Sequence, residues 1–333
     1  MDFFTKIDIP ATDWQIDYNS HVAFFGSCFA DNISAQFAAR KFKVLVNPFG
    51  TVYNPLSIAM QIKAIANKQV FGGPEVFQDM RPDRAGNSAP WHCWDAHGSL
   101  SAATREECIA KLNKASTHAL DFLQKTDIAF ITLGTSFVYF LKDIGAAVSN
   151  CHQQNPNLFI RKMISVDHVV AALKSIVQDL QKIKRDMRIV FTVSPLRHLS
   201  DGAHANTLSK ATLQLAINKI IEEQDFSTHT TEATVQYFPS YEIVMDELRD
   251  YRFYDSDMIH LSKIAENYIF ERMTEAYCDS KTRDNIKQVE KFLKMANHRI
   301  QDADFPATAA FLQKLHAEAA KLESQIAGLE LNV

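Results

Sequence analysis

Runs of apolar residues alternate along this chain with segments whose apolar positions recur every three or four residues. Such runs are typical of buried strands, and the second pattern is typical of amphipathic helices. The runs predict strands at His21–Gly26, Lys43–Val46, Ile128–Leu133, Arg188–Val193 and 234–238. The periodic segments predict one helix that runs through Lys41 and others at 55–67, 104–124, 166–184, 206–223 and 262–277. This alternation predicts an α/β fold, in which a mostly parallel, doubly wound sheet has helices on both faces.

The end of the chain has a different pattern. After Asp279, two charged segments at residues 281–296 and 305–329 carry apolar residues at helical spacing. We therefore expect a C-terminal helical hairpin, and we divide the chain into an α/β domain of residues 1–279 and a helical extension of residues 280–333. Because the heptad match is short, packing of the hairpin onto the same chain is favoured over a coiled-coil dimer.

Composition removes several classes of protein. Only 10 of the 333 residues are glycine, which excludes β-helices, collagen-like repeats and turn-dense sandwiches. Lys+Arg 35 against Asp+Glu 39 gives a net charge of −4, and this lack of basic excess argues against a nucleic-acid partner. The five cysteines include no C-x-x-C pair, so we expect neither a structural zinc site nor a disulfide framework.

Targeting signals also point to a particular location. The N-terminal residues lack the basic region and apolar stretch of a signal peptide, and the most apolar stretch, residues 128–141, is too short to span a bilayer. We therefore expect a cytoplasmic protein without a membrane partner. No G-x-G-x-x-G follows the first strand, which disfavours a dehydrogenase, and we expect no cofactor and no metal.

Polar or glycine-containing segments follow four of the predicted strands. Ligands of open parallel sheets bind beyond the carboxyl ends of the strands, so these segments are candidates for a site. A scaffold without a site would also use such residues in its turns. The four segments are Gly26-Ser27-Cys28, Asn47-Pro48-Phe49-Gly50, Gly134-Thr135-Ser136 and Ser194-Pro195-Leu196-Arg197-His198.

The first of these segments is a candidate for a nucleophile. A side chain on a tight strand-to-helix turn points out over the sheet, and the N-terminus of the helix favours a thiolate or an oxyanion beside it. Either Ser27 or Cys28 has this position. The alternative is that Ser27 caps the helix and Cys28 is a small buried apolar residue.

A candidate base lies in the segment before the helix at 262–277. Asp257 and His260 are three positions apart, so the carboxylate can fold back onto one imidazole nitrogen and leave the other to face a nucleophile. Incidental charge in the loop before a helix is the alternative for any single D-x-x-H.

Taken together, these segments resemble the GSCFA domain family. The segment Phe25–Ala30 carries the motif that gives the family its name, and the resemblance covers residues 24–277. Further segments that resemble the family are 47–55, 133–139, 150–152, 192–198, 201–211 and 237–260. This family is grouped with the SGNH (GDSL-like) hydrolases, which implies a flavodoxin-like, three-layer α/β/α sandwich and esterase-type acyl transfer.

The resemblance also implies roles for particular residues. Asp257 and His260 match the D-x-x-H of the superfamily, and Gly50 resembles the glycine whose N–H serves the oxyanion hole. In the block where the superfamily usually has G-x-N-D, Ser136 stands at the asparagine that donates to the oxyanion, and Thr135 precedes it as a further oxyanion candidate. When the G-D-S motif of the superfamily is aligned without a gap on Gly26-Ser27-Cys28, Cys28 takes the position of the nucleophile. A shift of the alignment by one residue places Ser27 there instead. If Cys28 attacks, we expect a partly pre-formed thiolate and activity shifted to acid pH.

Weaker candidates for substrate contacts lie elsewhere. Aromatic and imidazole side chains in a segment between helices and strands often line a cleft. A metal site built from His92, Cys93, His97 and His152 is the alternative, but ligands clustered in an aromatic loop more often line a pocket. Arg197 is a candidate for binding a carboxylate or phosphate, or alternatively for an ion pair with Asp201. The residues in this group are Asn47, Trp91, His92, His97, His152, Arg197 and His198.

The sequence therefore favours an SGNH-like esterase that acts on a small-molecule or glycan-type acyl ester. Attack by Cys28 or Ser27 with proton transfer through His260 is the expected chemistry. An acyltransferase remains open, as does a catalytically silent module on the same fold that binds a carbohydrate or metabolite.

Overall fold

A computed structural model describes residues 5–10, 12–79, 89–227, 235–297 and 306–332 of the chain. The strands in these residues are β1 (His21–Gly26), β2 (Lys43–Val46), β3 (Val76–Gln78), β4 (Trp91–Cys93), β5 (Ile128–Leu133), β6 (Phe137–Leu141), β7 (Ala147–Val148), β8 (Phe159–Met163), β9 (Arg188–Val193) and β10 (Val235–Tyr237). The helices are α1 (Cys28–Ala39), α2 (Pro55–Ala66), α3 (Arg105–Leu123), α4 (Val166–Ile183), α5 (Ala203–Ser227), α6 (Ser240–Glu242), α7 (Lys263–Tyr277), α8 (Ser280–Ala296) and α9 (Pro306–Gln325).

The five predicted strands form one parallel sheet with the order β10-β9-β5-β1-β2. Numbered along the chain, this is the 2-1-3-4-5 order of flavodoxin-like folds. The order of connection reverses between β1 and β5, and Gly26 is paired with Thr132 at this point. The predicted mostly parallel, flavodoxin-like sheet is confirmed. Thr234, the first residue of the last predicted strand, lies outside the described residues.

Alternate residues of β1 face two separate hydrophobic clusters, because successive side chains of a strand point to opposite faces. Ala23 and Phe25 pack in one cluster, and Val22 and Phe24 pack in the other. The first cluster includes Ile58 of α2, Leu112 of α3, Leu173 of α4 and Leu213 of α5. The second includes Ile33 of α1, Ile269 of α7, Val289 of α8 and Leu322 of α9. The three layers of an α/β/α sandwich follow directly.

The C-terminal helices α8 and α9 form the expected hairpin on one face of this sandwich. Their buried side chains, among them Phe292 and Leu315, belong to the same cluster as those of α1 and α7. The hairpin thus shares the core of the α/β body, while the division into domains at residue 279 stays a prediction. Phe305, the predicted start of the second helix, lies outside the described residues.

Two small antiparallel sheets were not predicted. One pairs β3 with β4, and the other has the order β7-β6-β8. The apolar run 128–141 is divided by Gly134, Thr135 and Ser136, so that β5 enters the central sheet and β6 turns over its carboxyl edge. The pattern did not separate β6 from β5 because both lie in one apolar run, and it did not reveal the others because β3, β4 and β7 have two or three residues each and β8 carries two charged residues. None of the helices in the described part of the chain is long and apolar enough to cross a membrane.

Candidate active site

A cavity of about 460 Å³ lies at the carboxyl ends of β1, β5 and β9. Six of the residues singled out in the sequence line it, namely Ser27, Cys28, Thr135, Arg197, His198 and His260. Side chains of the small β6–β8 sheet and of the loops around it complete the wall, including Phe137, Tyr139, Cys151 and Arg161. The fold therefore brings the candidate nucleophiles and the candidate base to one space.

The turn from β1 into α1 requires glycine at position 26. Gly26 has φ +127°, and a Cβ atom built there would lie 2.0 Å from the carbonyl oxygen of Thr132 on the adjacent strand. Its N–H donates to Oδ1 of Asn47 at 2.8 Å. Positive φ and this close backbone approach both exclude a larger residue. The first strand end is thus fixed against its two neighbours.

Ser27 and Cys28 have different positions on this turn. Ser27 is the N-cap of α1, its Oγ accepts a hydrogen bond from the N–H of Phe29, and only 1% of the residue is exposed. Cys28 is the first helical residue and is partly exposed. The capping role considered for Ser27 in the sequence is present, and Cys28 is the more accessible of the two to a ligand.

Burial raises the pKa of the Cys28 thiol, and the nearby Asp31 carboxylate raises it further. The backbone N–H groups of Cys28 and Phe29 and the charge of Lys210 lower this pKa, but their effects are smaller. The expectation of a partly pre-formed thiolate is therefore wrong for this structure. A thiol in this environment needs a base to remove its proton, so the expected shift of activity to acid pH loses its basis.

Asn47 braces the turn and does not line the cavity. Its side chain accepts from the N–H of Gly26 and donates to Oδ1 of Asp31 at 2.7 Å, while Thr51 donates to the other carboxylate oxygen. The amide of Asn47 has both ends engaged and is 8% exposed. Asn47 thus holds β1, α1 and the loop after β2 in one arrangement, and a direct substrate contact is not its role here.

The oxyanion donors expected from the resemblance are engaged elsewhere. The N–H of Gly50 donates to the carbonyl oxygen of Asn47 at 2.7 Å, where the chain bends back tightly. Ser136 is fully buried, and its N–H and hydroxyl both donate to Oγ of Ser209 on α5. The N–H of Thr135 donates to the carbonyl oxygen of Tyr53. Gly50 and Ser136 do not line the cavity, and none of these three N–H groups is available to a substrate.

Asp257 and His260 form the hydrogen bond that their spacing predicted. Nδ1 of His260 lies 2.5 Å from Oδ2 of Asp257. The other oxygen, Oδ1, accepts from the N–H groups of Ile259 and His260. These hydrogen bonds lower the pKa of Asp257 to about 2. The carboxylate is therefore ionised at neutral pH and orients the ring of His260.

His260 lines the cavity and Asp257 does not, and both lie on an exposed loop. The side chains of His260 and Asp257 are 49% and 47% exposed. Within the described residues, His260 makes no hydrogen bond with Ser27 or Cys28, although all three line the same cavity. Catalytic hydrogen bonds are often long without a bound substrate.

Sequence reasoning missed Lys210, which lies beneath the floor of the cavity. Its side chain is fully buried, and Nζ donates to the carbonyl oxygens of Gly134 and Ser194 at 2.6 Å each. Burial lowers the pKa of Lys210 to about 7, and Cys28 acts in the opposite direction. A signal was present, because Lys210 is in phase with Leu213, Ile217 and Ile220 on the apolar stripe of α5.

Arg197 and His198 both line the cavity, as does Arg161, which was not predicted. Nη2 of Arg197 donates to the carbonyl oxygen of Met258 at 2.7 Å, so Arg197 holds the loop that carries His260. The alternative ion pair between Arg197 and Asp201 is wrong, because Asp201 pairs with Arg161. Burial, then Lys210 and Arg161, lower the pKa of His198 to about 4, so its ring is neutral at pH 7.

The four remaining candidates for substrate contacts do not line the cavity; they are Trp91, His92, His97 and His152. The rings of His92 and His152 stack at 4.4 Å, and Nε2 of His152 lies 2.7 Å from the carbonyl oxygen of Cys93. His97 caps a short 3₁₀ helix, and Trp91 pairs within the β3–β4 sheet. Among the described residues, no group of three or more His, Cys, Asp or Glu side chains is placed to hold a metal ion.

This chain is distantly similar to several solved structures, of which three are described here. An acetyl xylan esterase from Butyrivibrio proteoclasticus is 13% identical with a TM-score of 0.37, covering 81% of this chain and 64% of the other. A DUF4886 family protein from Bacteroides uniformis is 12% identical with a TM-score of 0.36, and the match covers 93% of this chain and 99% of the other. A carbohydrate esterase family 3 protein from Talaromyces cellulolyticus is 11% identical with a TM-score of 0.32, and the match covers 82% of this chain and 99% of the other.

Sequence comparison is more specific. No curated protein matches the chain significantly. The model of the GSCFA family matches residues 21–273, most of the chain and every element that forms the cavity. The chain belongs to the GSCFA family.

Proposed function

We propose that this protein hydrolyses acyl esters in the cavity at the carboxyl edge of its sheet, with Cys28 as nucleophile and the Asp257–His260 pair as base. The observation that carries this proposal is the hydrogen bond between His260 Nδ1 and Asp257 Oδ2, in a cavity that Cys28 also lines. This bond leaves Nε2 of His260 as the nitrogen that can take a proton.

The reaction has two steps. His260 takes the proton of Cys28 as sulfur attacks the carbonyl carbon of the ester, and the same proton then goes to the departing alcohol. This leaves a thioester, which a water molecule hydrolyses with His260 again as base, releasing the carboxylic acid and regenerating the thiol. Since the raised pKa of Cys28 keeps the thiol protonated at neutral pH, the first proton transfer is essential.

The negative charge that develops on the substrate oxygen needs donors other than Gly50 and Ser136. The N–H of Cys28 stands at the N-terminus of α1, whereas the N–H of Phe29 donates to Oγ of Ser27. A helix N-terminus favours negative charge beside it. We assign the oxyanion to the N–H of Cys28.

A second candidate is a binding module without catalysis, possessing the same cavity. It is favoured by the engagement of Gly50, Thr135 and Ser136 with other protein groups and by the absence, among the described residues, of a hydrogen bond between His260 and Cys28. An acyltransferase would use the same thioester and a different acceptor.

Hydrolysis of 4-nitrophenyl acetate by four proteins separates these candidates. We expect Cys28→Ala and His260→Ala to lower kcat/KM by at least about a hundredfold, because each removes a group that acts in the first step. Ser27→Ala is the matched control and should retain activity, after correction for its stability. Activity lost only in Ser27→Ala would move the nucleophile to Ser27, and an inert wild-type protein would favour the binding module.

A further inference from the structure

The charged side chains that line the cavity are of one sign. Arg161 and Arg197 line it together with two histidines, and no aspartate or glutamate lines it within the part of the chain that the structure describes. This contrasts with the net charge of −4 of the whole chain. A basic cavity in an acidic protein attracts anionic ligands.

Each of the two arginines has one N–H donor that the protein leaves without an acceptor. Nε of Arg161 and Nε of Arg197 are buried and have no hydrogen-bond partner among the described residues. A buried donor without an acceptor is unfavourable, so a small shift of either side chain that brings its Nε to a ligand oxygen is favoured. The same two side chains thus carry both charge and unused hydrogen-bonding capacity.

Both guanidinium groups are held in place by the protein. Arg161 pairs with Asp201 and lies over the Phe137 ring at 4.5 Å. Arg197 donates to the carbonyl oxygen of Met258 and lies over the Tyr254 ring at 5.0 Å. A fixed planar guanidinium matches the oxygens of a carboxylate or a phosphate and loses little freedom on binding.

The two arginines differ in how far their charge is compensated. Asp201 neutralises much of the charge on Arg161, whereas no carboxylate in the described residues pairs with Arg197. Arg197 also anchors Met258, two positions before His260. An anion on Arg197 would therefore sit next to the loop that carries the proposed base.

We propose that the cavity selects acyl esters that carry an anionic oxygen group, a carboxylate or a phosphate, and that Arg161 and Arg197 bind this group. That the ligand is an ester rests on the proposed function, whereas the binding of the anion does not. Arg197 supplies the larger share of the attraction because its charge is uncompensated.

Binding without chemistry is the first test. Calorimetric titration of the wild-type protein at low salt should detect glutarate or inorganic phosphate, and should detect no binding of neutral 1,5-pentanediol. A preference between glutarate and phosphate identifies the anionic group. Arg197→Met should weaken binding by about tenfold or more, since a charge-assisted hydrogen bond is lost, and Arg197→Lys should restore part of it.

Two further variants complete the binding test. Arg161→Met would leave Asp201 without its cation, so the double variant Arg161→Met/Asp201→Asn is used, and we expect weaker binding of the anion. Arg249→Met is the matched control, because Arg249 is exposed, pairs with Asp246 and lies outside the cavity. Equal binding of pentanediol and glutarate, or wild-type affinity in Arg197→Met, would overturn the inference.

Kinetics with two esters separate this inference from the proposed function. The ratio of kcat/KM for mono-4-nitrophenyl glutarate to that for 4-nitrophenyl acetate should fall about tenfold in Arg197→Met and stay unchanged in Arg249→Met. If neither ester is hydrolysed while glutarate binds, the esterase proposal fails and the anion site stands. If both are hydrolysed without preference and no anion binds, the esterase stands and the anion site fails.

Discussion

The two halves of the candidate site are built in opposite ways. The nucleophile half, from Gly26 to Cys28, is enclosed by neighbouring strands and is hydrogen-bonded to the side chain of Asn47 and to the backbone of Thr132. The base half, Asp257 and His260, is about half exposed and is held chiefly by hydrogen bonds within its own loop. The first half depends on the whole fold, whereas the second is a local structure that Arg197 attaches to the cavity.

This difference has a consequence for mutation. Substitutions in the nucleophile half should change the free energy of unfolding, because its residues belong to the core of the sheet. Substitutions in the base half should change activity with little effect on stability.

Gly26→Ala should destabilise the protein by about 3–5 kcal/mol, because the new Cβ would meet the Thr132 carbonyl at a φ that alanine disfavours. Urea denaturation measures the change. Gly145→Ala is the matched control, since Gly145 has φ +66° with no heavy atom within 4 Å of the added Cβ, and about 1 kcal/mol is expected. Equal losses in the two variants would show that the close approach to Thr132 has no energetic role.

Lys210→Met should cost about 2–3 kcal/mol, because the carbonyl oxygens of Gly134 and Ser194 would lose their buried donor. The control is Lys219→Met, which removes only an exposed ion pair with Asp167 and should leave stability nearly unchanged. Both values come from denaturant titration. A more stable Lys210→Met protein would show that desolvation of the ammonium outweighs its hydrogen bonds.

Protonation of two buried histidines should lower stability as the pH falls from about 6.5 to about 4, against the smaller opposite contribution of Asp95, whose pKa burial raises to about 6. Burial lowers the pKa of His152 and of His198 from 6.5 to about 4, so within this window the unfolded chain binds protons that the folded protein does not. The free energy of unfolding should drop by about 2 kcal/mol per histidine. Stability curves of wild type and of the double variant His152→Asn/His198→Asn check this. A drop of the same size in the double variant would assign it to other groups.

Asp257→Asn should leave stability nearly unchanged, because the pair is exposed and an asparagine Oδ1 can still accept from the N–H groups of Ile259 and His260. Ester hydrolysis should nevertheless fall by at least about a hundredfold, since the ring of His260 loses the carboxylate that orients it. Thermal melting and kinetics on the same preparation measure both. A large loss of stability would remove the contrast between the two halves.

Local patterns in the sequence were sufficient for most of the fold. The strands β1, β2, β5 and β9 have the predicted bounds, because each is a continuous apolar run between polar or glycine-containing turns. The Asp257–His260 hydrogen bond was also predictable, since it joins residues three positions apart.

Contacts between distant segments were not predictable in this way. Whether the N–H of Ser136 is free depends on Ser209, 73 positions away, and whether Arg161 is paired depends on Asp201. The pKa of Cys28 is set by burial, which a motif does not report. Lys210 was predictable only in part. Its place on the apolar stripe of α5 could be read from the sequence, whereas its carbonyl partners could not.

The pairing of Gly26 with Thr132 also bears on the synthesis of the chain. A ribosome adds about 5–20 residues per second, so the segment around Cys28 emerges several seconds before β5, its partner on that side. Lys210, which joins the ends of β5 and β9, follows later still. Until then the Cys28 thiol lacks the burial that raises its pKa, so the nascent chain is the form most open to alkylation or oxidation at this position.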